Sequence, residues 1–121
     1  MVRHALVVPR LGGPPSGGLW TVGGGVYTTK PRPALIVQDD LFDATGSVTV
    51  VPLTTTLTDA PLLRVRVVSS ELSGLAQDSD LMIEKLTTVR RSNVQDRVGR
   101  LAADQLAEVE RCLMTFLGLA R

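Results

Sequence analysis

Lys30-Pro31-Arg32-Pro33-Ala34-Leu35-Ile36-Val37-Gln38 is followed closely by Ser47-Val48-Thr49-Val50-Val51-Pro52-Leu53-Thr54-Thr55-Thr56, and the reading of this pair of segments decides the fold. In each, a strand-length run rich in β-branched residues meets a polar end. Residues 34–37 are continuously apolar and 48–51 are β-branched throughout and apolar but for Thr49, the pattern of strands buried on both faces. Pro31 and Pro33 disfavour helix at Lys30 and Arg32 and stiffen the entry to the first strand. One polar end carries an arginine and the other a threonine cluster, a pairing that suits a phosphate.

Working outward, Leu19-Trp20-Thr21-Val22 reads as a short strand with Trp20 in the core, and Gly23-Gly24-Gly25 as the loop after it. Residues 11–18, Leu-Gly-Gly-Pro-Pro-Ser-Gly-Gly, suit neither helix nor central strand and predict a flexible lead-in. The expected organisation is therefore a lead-in over 1–18 and one domain over 19–121. Leu62-Leu63-Arg64-Val65-Arg66-Val67-Val68 alternates, placing Arg64 and Arg66 on one face of a half-buried strand. Residues 80–86 predict a further strand that Thr87-Thr88-Val89 prolongs. Asp39, Asp40 and Asp43 read as turn residues.

The period then changes. Leu106, Val109, Leu113, Phe116 and Leu117 form an amphipathic helical stripe ended by Gly118, with Asp104 as N-cap or first-turn acid. No helix long enough for a crossover is expected between 19 and 86, which disfavours an alternating α/β fold. The expected class is mainly β (α+β), a small barrel closed by a C-terminal helix.

The chain has 121 residues, 44% of them hydrophobic with few aromatics, so Val, Leu, Ile and Ala must build one core. A net charge of +1 gives no strong basic field, and any nucleic-acid contact must come from a local patch. No apolar run is long enough to span a bilayer and no signal-peptide core forms before Pro9, so the cytoplasm is the default location. Cys112, the single cysteine, cannot pair internally and reads as a buried, inert thiol. His4 is the only histidine and lies in the lead-in, so neither a histidine mechanism nor a metal site is expected.

Set in order, Gly18-Leu19-Trp20, Arg32-Pro33-Ala34-Leu35-Ile36-Val37-Gln38-Asp39, Val50-Val51-Pro52-Leu53-Thr54, Ile83-Glu84-Lys85-Leu86-Thr87-Thr88-Val89 and Val98-Gly99-Arg100-Leu101 resemble the MazF/PemK family of toxin endoribonucleases over about a hundred residues. The resemblance implies an SH3-like barrel, usually a homodimer. It also implies metal-independent cleavage of single-stranded RNA at short motifs, with no cofactor, and inhibition by a cognate antitoxin. It places Arg32 at the family's catalytic arginine, Thr54 at its functional threonine, and Glu84 where some members carry an acid implicated in catalysis. Lys85 falls where relatives often have a base-reading glutamine. Met82 and Thr87 stand where some relatives have arginines, and no acid precedes Trp20.

The chemistry of the residues can be read beside this. Metal-free RNA cleavage needs a base for the 2′-hydroxyl, charge stabilisation at the phosphorane and a proton for the leaving oxygen. Arg32 suits the second task, because its permanently charged fork donates to phosphate but accepts protons poorly. Thr54 can donate a hydroxyl at the mouth of the site. Two readings of Glu84 stand open: a base beside Arg32, or a salt bridge to an arginine at the surface. For RNA binding the candidates are Lys30 at the groove's lip, Tyr27 as a stacking ring or loop cover, Thr55, Lys85 and Thr87, with Arg64, Arg66, Arg90 and Arg91 as further phosphate contacts. A gyrase-poisoning toxin of the CcdB type, a binding module of the same fold, is the alternative.

Overall fold

The computed structural model describes residues 17–23 and 30–119; residues 1–16 of the anticipated 1–18 lead-in, His4 among them, and the loop residue Tyr27 lie outside them, while Gly18 already belongs to the first strand. Seven strands precede one helix: β1 (Gly18–Val22), β2 (Arg32–Ile36), β3 (Ser47–Thr54), β4 (Arg64–Val67), β5 (Ser79–Met82), β6 (Thr87–Arg90), β7 (Val94–Arg100) and α1 (Ala103–Phe116). All pairings are antiparallel. They run β4-β5-β3-β2-β1-β7, with β6 on the other flank of β3 and the end strands β4 and β7 unpaired with each other. The result is an open SH3-like barrel rather than a closed one.

The barrel turns on β3, whose first half pairs with β6, whose middle pairs with β2 and whose last residues pair with β5. Such a long strand shared between two sheets makes the corner. Its alternation serves two cores at once. Val51 and Leu53 join Leu19, Leu35, Leu81 and Ile83 in the main core beneath α1, while Val48 and Val50 join Ala34 and Ile36 in a second cluster on the opposite face. The two apolar segments are thus buried on both faces, as their sequence predicts. Trp20 is only partly buried and packs against the second cluster.

Three local expectations need correction. The strand expected over 80–86 stops at Met82, a 3-10 turn occupies Ile83–Lys85, and β6 begins afresh at Thr87. The alternation expected from Leu62 starts only at Arg64, because Leu63 and Arg64 donate their N–H groups back to the Ala60 carbonyl in a turn. In α1, Val109, Cys112 and Leu113 are buried and Leu106 partly so, but Phe116 and Leu117 are exposed at 44% and 50%. The stripe therefore faces the core over its middle turns and leaves it at the C-terminus.

The helix ends are settled by local chemistry. Asp104 lies in the first turn, and the Gln105 side chain accepts the N–H of the N-cap residue Ala102 at 3.1 Å, doing half the work of a capping box. Gly118, at φ 74°, takes the left-handed position just beyond the last turn. Asp39 caps a 3-10 turn over Asp40–Phe42 through the Leu41 N–H at 2.9 Å, as turn residues should. Cys112 is buried, and that burial pushes its thiol pKa up, which keeps it in the unreactive protonated form.

Candidate nucleic-acid groove

Even-numbered residues of three strands share one face. The register pairs Trp20 with Ala34, Val22 with Arg32, Ala34 with Pro52 and Ile36 with Val50. Carried two residues beyond the Ala34–Pro52 pair, the same register brings Arg32 level with Thr54. On the other flank of β3, Thr87 lies opposite Val50. The consequence is a groove of about 450 Å³ on this face, with an apolar floor of Val22, Ala34, Val50 and Val89 and a polar end of Arg32, Thr54, Thr55, Thr56, Lys85 and Thr87. Pro33, Pro52, Leu53 and Met82 complete the lining.

Of the residues singled out by sequence, Arg32, Thr54, Thr55, Lys85 and Thr87 thus meet in one place. Arg32 is exposed and, among the described residues, has no ion-pair partner, so its fork is available to a ligand. The Thr54 hydroxyl accepts the Thr56 N–H at 3.1 Å. That bond occupies a lone pair and leaves the hydroxyl proton to donate outward. Lys30 is exposed but does not line the groove, and Tyr27 falls outside the described residues.

Glu84 is not beside Arg32. Its carboxylate takes both forks of Arg64, Nε to Oε1 at 3.2 Å and Nη2 to Oε2 at 2.7 Å, and it does not line the groove. The Arg64 hydrogen bonds outweigh burial and hold the Glu84 carboxyl below its ordinary range. A carboxylate so stabilised in its charged form is a weakened proton acceptor. The pair with Arg64 is the salt bridge to an arginine that the second reading of Glu84 expected, and the 3-10 turn over Ile83–Lys85 ends the strand before Glu84 is reached.

Two of the other candidate arginines are engaged elsewhere. Arg66 donates to Asp80 at 2.5 Å, and Arg91 donates from Nε to the Thr45 carbonyl at 2.7 Å, tying β6 to the loop before β3. Arg90 is exposed and outside the groove lining. Sequence reasoning missed the groove floor, Val22 and Val89 especially. The signal was present in the period-two alternation, which assigns them to the face of Arg32 and Thr87.

The backbone matches solved toxin structures. It superimposes on the Mycobacterium tuberculosis toxin MazF-mt6 with a TM-score of 0.73 at 23% identity, covering 86% of this chain and 99% of that one. A MazE-MazF structure from Deinococcus radiodurans gives a TM-score of 0.72 at 23% identity, over 88% of this chain and 97% of that one. These place the fold among the MazF-type barrels. In sequence, the chain is 58% identical over 96 residues to a probable endoribonuclease MazF of Mycolicibacterium smegmatis, covering 79% of this chain and 88% of that protein. Endoribonuclease MazF9 of Mycobacterium tuberculosis is 28% identical over 101 residues, 78% of this chain and 85% of that protein. Residues 17–117 match the model of the PemK-like, MazF-like toxins of type II toxin–antitoxin systems, and the chain belongs to that family.

Proposed function

We propose that this MazF-type endoribonuclease toxin cuts single-stranded RNA at short motifs in the groove of the β1-β2-β3-β6 face, without a metal, and that a cognate antitoxin neutralises it. The observation that carries the reading is the level placement of Arg32 and Thr54 at the polar end of an apolar-floored groove. An apolar floor accepts unstacked bases, while the polar end accepts the backbone. The family match favours this over gyrase poisoning of the CcdB type, which is set aside.

In the proposed reaction the 2′-hydroxyl gives up its proton to solvent as its oxygen attacks the adjacent phosphorus, and the bond to the 5′-oxygen breaks as that oxygen takes up a proton from solvent. The products are a 2′,3′-cyclic phosphate and a free 5′-hydroxyl. Arg32 stabilises the charge that grows on the non-bridging oxygens, and the Thr54 hydroxyl donates to the same group. Lys85, Thr55 and Thr87 hold the flanking backbone, and Lys30, two residues from Arg32, extends that contact beyond the groove. Glu84 has no place in proton transfer.

The working unit is proposed to be a cytoplasmic homodimer. Among the described residues, no helix is long and apolar enough to cross a membrane. The function is tested by incubating purified protein with an unstructured RNA in excess chelator. Cleavage that leaves cyclic-phosphate ends and falls about a hundredfold or more in Arg32→Ala is expected; no cleavage, or equal cleavage by the variant, overturns the reading.

A further inference from the structure

The groove accounts for Lys85 but leaves the ion pair one residue before it without a function. We propose that Arg64 and Glu84 form a strut that fixes the direction in which Lys85 enters the groove, so that Glu84 is a positioning residue acting through Lys85. The inference rests on the reading of the groove as the RNA surface.

The geometry begins with the 3-10 turn over Ile83–Lys85. With three residues per turn, successive side chains leave the axis about 120° apart. Three neighbours therefore serve three environments. Ile83 enters the main core at 0% exposure, Glu84 meets Arg64, and Lys85 lines the groove. The Ile83 N–H donates to the Leu63 carbonyl at 2.9 Å, and the Leu86 N–H closes the turn on Ile83 at 3.2 Å.

Core burial of Ile83 and its backbone bond to Leu63 fix where the turn sits, and the next side chain adds a constraint on its rotation. Arg64 supplies that constraint. It stands on β4 opposite Met82, the residue immediately before the turn, and Met82 itself lines the groove. A planar guanidinium meeting a carboxylate at two points fixes orientation as well as distance, which a single contact does not. Both side chains are largely shielded, at 17% and 26% exposure, so water competes poorly for the pair. A rotation of the turn about Ile83 would carry Lys85 off the groove wall.

The test measures binding of a single-stranded RNA made uncuttable by 2′-O-methylation, as a function of salt. The variants are Lys85→Ala, the charge-neutral pair deletion Arg64→Ala with Glu84→Ala, and all three together. Lys85→Ala should flatten the log–log salt slope by about 0.7, the loss of one single-strand phosphate contact. The pair deletion should flatten it by a similar amount, and the triple variant should bind no worse than Lys85→Ala alone. A pair deletion that binds like the parent while Lys85→Ala does not overturns the strut alone. Equal pair-deletion costs with and without Lys85 also overturn it, as they describe general loosening. If neither Arg32→Ala nor Lys85→Ala weakens binding, the groove reading falls and the strut falls with it.

Glu84→Gln, which keeps an acceptor for Arg64, guards against a pair deletion that does not fold. Its cleavage should show a raised KM with kcat within about threefold of the parent and an unchanged pH profile. A hundredfold fall in kcat with loss of the acid limb would make Glu84 a proton-transfer group and overturn the proposal.

Discussion

Asp80 stands opposite Thr54 across the β3–β5 ladder, and its buried carboxylate holds the loop that Thr54 begins. Oδ2 accepts the Thr58 N–H at 2.9 Å, and Oδ1 accepts Arg66 Nε at 2.5 Å. One side chain, 1% exposed, thus ties the threonine segment 54–58 to β4. The polar end of the groove is shaped from its flank, by a residue outside its lining.

Asp80 should therefore govern acid stability. Burial pushes its pKa up, but the hydrogen bonds from Arg66 and Thr58 and the charges of Arg66 and Arg64 outweigh it, leaving the carboxyl below its ordinary value. A group lowered in the folded state contributes stability above its unfolded pKa of about 3.9 and loses it as pH falls through the folded value. Asp80→Asn should cost roughly 2–4 kcal/mol at neutral pH. Its Tm should also fall less steeply than the parent's below about pH 4, where Glu84, lowered in the same direction by Arg64, still contributes. Thermal unfolding followed by circular dichroism across that range checks this, and parallel Tm curves would refute it.

Arg32→Ala should separate catalysis from folding. Its side chain is exposed and unpaired among the described residues, so stability should move by no more than about 0.5 kcal/mol. Cleavage should fall by about 10²–10³, the usual effect of removing one charge-stabilising donor. Arg32→Lys should recover only part of that rate, because the charge returns without the fork. Rates on a fluorogenic RNA, with melting curves from the same samples, decide the matter; full activity in Arg32→Lys would show that charge alone suffices.

Thr54 gives a sharper contrast. Thr54→Val keeps the shape but removes the donor, and it orphans the exposed Thr56 N–H at a cost of about 1 kcal/mol. Cleavage should fall about a hundredfold, while Thr54→Ser, which restores both roles of the hydroxyl, should stay within a few-fold of the parent. A Val variant as active as the Ser variant would remove the hydroxyl from the reaction.

The first three strands of the groove were legible because they are dense in β-branched and other apolar residues, and the prolines around Arg32 marked where the second one begins. The turn at Ile83–Lys85 was not. Leu81 and Ile83 alternate with Asp80, Met82 and Glu84 as a strand would, and only the tertiary demand that Ile83 fill the core breaks the period. Glu84, the next residue, thereby leaves the strand and pairs with Arg64, the second of the two roles open to it from sequence. β7 escaped for the opposite reason. Val94-Gln95-Asp96-Arg97-Val98-Gly99-Arg100 is too polar to read as a strand, yet as the partner of β1 at the end of the sheet path it leaves much of its surface in water.

Gly99 within β7 tests how that edge is held. A Cβ there would lie 2.2 Å from the Ser73 carbonyl oxygen and 2.5 Å from that of Leu72, both backbone atoms. The same turn is bound to β7 by the Arg100 N–H, which donates to Leu72 at 3.0 Å, and is braced internally by the Ser73 hydroxyl donating to Val68 at 2.9 Å. It cannot yield without breaking these bonds. Gly99→Ala, a methyl added to a half-exposed strand, should therefore cost about 2–4 kcal/mol, several times what a surface glycine-to-alanine change usually does. Chemical denaturation should show a lower midpoint with an unchanged slope. A midpoint equal to the parent's would mean that the 70–74 turn moves freely away from β7.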